Sequence, residues 1–434
     1  MRLALSMLLA GASLSAGAAN LDDIYQLARD NDAQYAAARE AWRAGLEKLE
    51  QAKSLGRPTL TLSANVRANE DYSSQTGAQP AYGSNSATLS FVQPLVRLQN
   101  VQALAQGELQ VQLAEEQLRQ AEQDLMLRVG KAYFDALQAE DVLASLRAQK
   151  EAFTQQLAQT RRSLQVGTVA ITDVNEAQTK YDLTVAQEIA GRNDAEVKRQ
   201  ALERIINRPL PPLARWDETR RIELGPADQL SALIERAGSD SLAVSIARIN
   251  RDLAQREATK QDVSWLPSVD MTATANNSRN VASPGILQRY NTRQSAVGLE
   301  LSWPIFQGGA ISSRQREAAA NLTKAGFDLD NARRQAMFDA RQAYLNAMSG
   351  AAQVTALEQA LASSESQVKS TRRGLEVGVR TRLDVLNAEQ QFHATRRDLA
   401  VARYQTLIAS LQLKAAANTL SEQDLRALDA SLKP

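Results

Sequence analysis

The 434-residue chain has no cysteine, which excludes a disulfide, a thiolate metal ligand and a lipid-accepting N-terminal cysteine. Its one histidine, His393, leaves no metal cluster and no Ser/His or Cys/His arrangement for nucleophilic catalysis. His393 falls in a coiled-coil run and reads as a surface or seam residue. No Gly-x-Gly spacing or Gly-Lys-Ser is placed to cradle a phosphate; Gly308-Gly309, after Phe306, reads as a flexible strand-to-helix joint. No enzyme and no cofactor are expected. After residue 19 no run of 18 apolar residues follows, so no membrane-spanning helix is available. Entry into a bilayer has to be made by strands.

Residues 1–19 read as a secretory signal: Arg2, an apolar run from Leu3 to Ala10, then Ala16-Gly17-Ala18-Ala19, with cleavage after Ala18 or Ala19. Removal of Arg2 takes the formal side-chain charge from +1 to zero. A neutral chain gives no electrostatic case for nucleic acid.

Proline is sparse, with eleven residues, and all of them read as boundary markers. The stretches Leu95–Arg208 and Ile305–Lys433 contain none. Because an interior proline costs ~3 kcal/mol, that distribution predicts very long helices. Apolar pairs seven apart, such as Leu118/Leu125 and Leu157/Leu164, predict coiled-coil seams.

Two segments, Arg161–Asp182 and Arg372–His393, are copies of one pattern. Each closes a helical run with Val-Gly (Val166-Gly167, Val377-Gly378) and opens the next with Asp-Val (Asp173, Asp384). Glycine tolerates the positive φ of a helix C-terminus, and aspartate caps free N–H groups at the next N-terminus. Both segments are predicted as tight helix–turn–helix reversals. The same offset aligns Ala132-Tyr133 with Ala343-Tyr344, so the mature chain reads as two structural repeats. Repeat 1 spans 20–206, a Pro-rich linker 207–226, repeat 2 spans 227–418, and 419–434 is a C-terminal tail.

Four short segments alternate with period two: about 58–69, 86–94, 267–276 and 295–303. In the first, Leu60, Leu62, Ala64 and Val66 share one face and Thr61, Ser63 and Asn65 the other. In the third, Val269, Met271, Ala273 and Ala275 oppose Ser268, Asp270, Thr272 and Thr274. About ten residues suits a tilted membrane strand. Polar loops Glu70–Asn85 and Asn277–Thr292 are expected at the far ends. Trp265 and Trp303 at the proline end, with Tyr72, Tyr82 and Tyr290 at the loop end, read as aromatic belts. Four strands cannot close a barrel in lipid, so oligomerisation is expected.

The segments 166–174 (VGTVAITDV), 377–386 (VGVRTRLDVL), 303–309 (WPIFQGG), 148–152 (AQKEA) and 419–434 resemble the TolC family of outer-membrane efflux and type I secretion ducts. That resemblance covers the whole mature chain. It implies a mixed α and β membrane protein: a homotrimer whose four strands per protomer close a transmembrane β-barrel in the outer membrane of a Gram-negative bacterium. A coiled-coil α-barrel would cross the periplasm beneath it. The partners implied are outer-membrane lipid, a periplasmic adaptor and an inner-membrane ABC or proton-driven transporter. The resemblance also implies an iris-like gate at the helical tips, with Thr172 and Asp173 in the first turn and Leu375 and Arg380 around the second. Asp384 and Asn387 would face the pore, and Val166, Gly167, Val377 and Gly378 would form docking tips. Two positions depart from the family pattern. Leu375 stands where the family has a hydroxyl-bearing aromatic, and Asn387 where it often has a second pore aspartate. The alternative reading is a periplasmic coiled-coil adaptor or scaffold without a pore.

Overall fold

The structure, a computed structural model, describes residues 18–433 except 71, 74–76, 79–81, 218–219, 221–229 and 281–289. Two compact units divide the chain. One comprises Glu40–Leu118 with Ser245–Ala332, and the other Met1–Arg39, Arg119–Val244 and Arg333–Pro434.

The first unit carries a four-stranded antiparallel sheet of β1 (Thr59–Asn69), β4 (Tyr82–Val96), β6 (Ser268–Asn280) and β7 (Tyr290–Ser302), in the order β1-β4-β6-β7. Two residue pairs, β2 (Tyr72–Ser73) and β3 (Gly77–Ala78), form a small ribbon between β1 and β4 in the chain. Register puts the alternating apolar positions of all four strands on one face. Leu60 lies opposite Phe91, Phe91 opposite Ala273, and Ala273 opposite Val297; Met271 lies opposite Leu299. The row Ser63, Thr88, Asn276 and Gln294 belongs to the other face. The apolar face is open: Leu62 is 72% exposed and Leu299 71%. Trp265 and Trp303 are exposed at the proline end. The side chains of Tyr72, Tyr82 and Tyr290 lie outside the described set.

Three expectations change here. The strands β4, β6 and β7 run further into the Ser/Asn-rich segments than expected, because ladder bonds need backbone rather than apolar side chains. Polar pairs hold the extension, Asn69 Nδ2 donating to Ser84 Oγ at 2.9 Å and Arg279 Nε to Asn291 Oδ1 at 3.1 Å. Pro94 is not a strand boundary. It lies within β4 beside a register shift against β6, where a residue without an N–H interrupts the ladder least. Asp270, expected simply as one of the polar-face positions, is buried and receives a two-pronged bond from Arg97, Nε to Oδ1 at 2.9 Å and Nη2 to Oδ2.

Two helices are very long, α3 (Leu98–Gln165) and α7 (Ala310–Glu376); they are followed by α4 (Ile171–Ile206) and α8 (Arg382–Ala416). At 1.5 Å per residue, α3 alone extends about 100 Å. The second unit also contains a belt of short elements. Here α1 (Leu21–Asn31) buries Leu21, Ile24, Tyr25 and Ala28 and packs on α4 and on α9 (Glu422–Asp429). The C-terminal tail closes this belt. Asp429 accepts the N–H groups of Leu21 at 2.8 Å and Asp22 at 3.0 Å, capping α1 from 407 residues away. Arg29 pairs with Glu422 at 2.8 Å, and β5 (Arg215–Trp216) pairs with β8 (Leu432–Lys433). Between α1 and α2 (Ala33–Ser54), Asp32 holds both terminal nitrogens of Arg128 at 3.0 Å. Burial pushes the Asp32 carboxyl up, but these bonds and the Tyr35 N–H more than offset it, and the net shift is downward. The remaining helices are α5 (Leu230–Asp240) and α6 (Leu242–Asp262).

Candidate gate and docking tips

Both tips are built by one backbone device. At the first, the Thr168 N–H reaches the Ser163 carbonyl at 3.0 Å and the Gly167 N–H the Leu164 carbonyl at 3.0 Å. At the second, the Val379 N–H reaches the Gly374 carbonyl at 2.9 Å and the Gly378 N–H the Leu375 carbonyl at 3.1 Å. This pairing of bonds is the Schellman closure of a helix. It needs a left-handed residue, and Gly167 and Gly378 have φ of 73° and 78°. Nothing lies within 4 Å of a Cβ placed at either, so backbone conformation rather than space selects glycine.

The caps differ. Asp173 accepts the Ala170 N–H at 3.2 Å, but Ala170 has no side-chain acceptor to return a bond. Asp384 accepts the Thr381 N–H and hydroxyl, both at 2.9 Å, and its own N–H donates to Thr381 Oγ1 at 3.2 Å. That is a reciprocal box. The Thr381 donors, with the Arg380 charge beyond them, hold the Asp384 carboxyl below the usual carboxylate range. In the single chain the shift thus runs opposite to the mutual repulsion expected of a ring of aspartates.

The structure brings Arg380, Asp384 and Asn387 to one open groove on α7 and α8, with Thr371 and Gly374. A Cβ on Gly374 would meet Arg380 Cγ at 2.7 Å, so this glycine leaves room for the arginine stem to fold back over α7. Among the described residues no bond joins Arg380 to Thr172 or Asp173 of the same chain; Asp173 is engaged by Ala170. Leu375 is half-buried and Asn387 exposed. Val166 is 74% and Val377 69% exposed, and Ile171 and Val379 are also open, so each tip presents apolar surface.

Other residues join the two helix pairs. Arg382 Nη2 donates to Ser163 Oγ at 3.0 Å, Lys180 Nζ bonds to Gln390 Oε1, and Arg397 donates to Gln149 Oε1 at 2.6 Å. Leu386 of α8 inserts among Phe153, Leu157, Val174 and Ala177 of α3 and α4. Sequence reasoning misses these residues, because nothing in their local spacing marks a partner more than 200 residues away. Only the apolar periodicity of Leu386 could have flagged one of them. His393 is buried, its ring edge-on to Phe392 at 5.3 Å. Burial first, then Arg396, Arg397 and Arg372, pushes its imidazole down to about 4. Arg372 pairs with the buried Glu389 at 2.7 Å.

Among the described residues, no group of three or more His, Cys, Asp or Glu is placed to hold a metal. No described helix is long and apolar enough to cross a membrane. A sheet with an open apolar face, in one chain with helices of this length, is a fold that solved outer-membrane proteins share. Solved structures agree: the outer membrane protein VceC of Vibrio cholerae matches with a TM-score of 0.75 over 92% of this chain and 95% of its own, at 17% identity. The Campylobacter jejuni CmeC outer membrane channel matches with a TM-score of 0.78 over 95% and 89%, at 14% identity.

The chain belongs to the outer membrane efflux protein family, which matches residues 24–208 and 233–419. It is 32% identical to outer membrane protein TolC of Escherichia coli (strain K12), over 98% of this chain and 87% of that protein. It is also 32% identical to the proteases secretion protein PrtF of Dickeya chrysanthemi, over 96% and 93%. The alkaline protease secretion protein AprF of Pseudomonas aeruginosa is again 32% identical, over 95% and 87%. The protein is an outer membrane efflux protein of the TolC kind.

Proposed function

We propose that three copies of this chain close one twelve-stranded barrel in the outer membrane, continued by a helical duct whose tips open and shut. The carrying observation is the sheet: one apolar face is open, and among the described residues β1 and β7 each have one unpaired edge. Unpaired edges are not tolerated in lipid, and copies of the same chain can satisfy them in a ring. Exposed apolar residues on α4 (Leu183, Ile189, Val197) and α7 (Phe327, Phe338, Leu345) support helix contacts between copies. The matched stretches 24–208 and 233–419, with their equivalent turns, support an internal duplication.

Docking would use the tips, where Val166, Gly167, Val377 and Gly378 present small apolar surface to the helices of a periplasmic adaptor. Energy would come from an inner-membrane transporter. The names of PrtF and AprF favour protein secretion as one use, and the family description favours efflux. Within the gate, Arg380 would reach Thr172 or Asp173 of a neighbouring copy, Asp384 would ring the pore, and Leu375 would leave one link unmade. A poreless periplasmic scaffold would have no use for an exposed apolar sheet face, which disfavours that alternative.

The test is the mass of the detergent-purified protein with and without a charge in the sheet. Three chains per particle are expected. Leu62→Arg, costing about 2–4 kcal/mol near the bilayer midplane, should lower assembled trimer, while Ser63→Arg should not. Monomers throughout, or equal assembly of both variants, overturn the proposal.

A further inference from the structure

We infer that this chain is cut between Ala18 and Ala19, and that the α-ammonium so formed is a structural group of the mature protein, seated on the Pro212 carbonyl. The inference rests on the reading of residues 1–19 as a secretory signal. The step is hydrolysis: water adds across the Ala18–Ala19 C–N bond, leaving a carboxylate on Ala18 and an ammonium on Ala19. Sequence alone leaves two cuts open. A leader ending at Ala18 has Ala16 and Ala18 in its third-to-last and last places, and one ending at Ala19 has Gly17 and Ala19; both satisfy the small-residue requirement.

Geometry separates them. Ala19 is 6% exposed and forms a parallel bridge with Leu213. Its N–H donates to the Pro212 carbonyl at 2.7 Å, and its carbonyl accepts the Ala214 N–H at 3.1 Å and the Tyr133 hydroxyl at 3.2 Å. Tyr133 and Ala214 are fully buried. A cut after Ala19 discards all three bonds. The Tyr133 hydroxyl keeps the Ala214 carbonyl at 2.8 Å, but the Ala214 N–H is left buried without its acceptor, the costlier kind of loss.

A cut after Ala18 keeps all three bonds and strengthens one, because an ammonium donates a charge-assisted bond where the amide donated a neutral one. The neighbourhood suits a cation. Asp23 accepts the Asn20 N–H at 3.2 Å, and Asp429 accepts the N–H groups of Leu21 and Asp22. Asp22 and Asp23 thus lie in the first turn after Ala19, and Asp429 caps that turn from α9. The new terminus would be held between the Pro212–Ala214 segment and α9, so leader removal completes the belt rather than trimming a loose end.

The full precursor is expressed in a Gram-negative host, and the outer-membrane protein is read by N-terminal sequencing and intact mass. The expected start is Ala-Asn-Leu-Asp-Asp. A start at Asn20 overturns the inference and leaves the signal reading standing; a start at Met1 overturns both. Deleting Ala19 from the precursor keeps the leader ending Ala16-Gly17-Ala18 and yields a chain beginning at Asn20. Hydrogen exchange at the Ala214 amide should then speed up about tenfold or more, with a smaller change in Tyr133→Phe. Unchanged exchange at Ala214 in the deletion overturns the structural role.

Discussion

The two tips have the same backbone and different chemistry. Gly167 and Gly378 carry similar positive φ and close the same pair of helix-ending bonds. Around them the side chains diverge. The first turn begins its second helix at Ala170, with half a cap; the second begins at Thr381, with a full reciprocal box. The second also holds Arg380 and Arg382 and buries Leu386 and His393, where the first has the exposed Asn175 and Asp182 at the places equivalent to the buried pair. The turn that bends the chain is the same at both tips, while the reciprocal cap and the buried Leu386 and His393 belong to the second. Under the proposed gate, the shared turn would serve as the hinge and the second tip as the contact surface.

The largest separation should come from the buried contact. Leu386 is 2% exposed, so Leu386→Ala should destabilise the tip by about 2–5 kcal/mol, whereas Asn175→Ala should stay within about 0.5 kcal/mol. Protection of tip amides from hydrogen exchange measures both. Equal effects would mean the two turns are packed alike. Next come the glycines, which should behave identically. Gly167→Ala and Gly378→Ala should each cost about 1–2 kcal/mol, the penalty of a side chain in the left-handed region. A larger loss at one tip would show a contact there beyond the turn itself. The caps should then diverge. Thr381→Ala should cost about 1 kcal/mol, and Ala170→Thr should gain a similar amount by completing the missing half.

The last expected effect is a pH dependence confined to the second tip. The folded imidazole of His393 titrates at about 4 against 6.5 for the free side chain. Between those values the unfolded chain binds the extra proton, so stability rises with pH. The contribution is complete above about 6.5 and is lost progressively as pH falls towards 4. Protection around α8 should weaken over that window, and His393→Gln should flatten the difference from the α4 tip.

The elements that local pattern dictates were legible in the sequence. Val-Gly followed by Asp-Val gave both reversals, the absence of proline gave α3 and α7, and alternation gave the shared apolar face of the sheet. What was illegible depends on partners distant in sequence. Asp270 looks like any polar-face residue until Arg97 is placed beside it. Pro94 looks like a boundary until the register shift against β6 absorbs its missing N–H. Asp429 caps a helix at the other end of the chain, and Arg382 finds Ser163 across 219 residues. The expected residues Arg380, Asp384 and Asn387 do share a groove. The link from Arg380 to Thr172 or Asp173 is not made within one chain, and local spacing carries no information on whether a bond closes within a copy or between copies.

Closure of an ion-conducting duct by the helical tips is tested most directly by planar-bilayer conductance of the purified protein and of Arg380→Ser. Low, discrete conductance in the unaltered protein and a clear increase in Arg380→Ser are predicted, because removing a link shifts the closed–open balance by that link's own energy. No conductance in either protein, or the same conductance in both, would contradict the account.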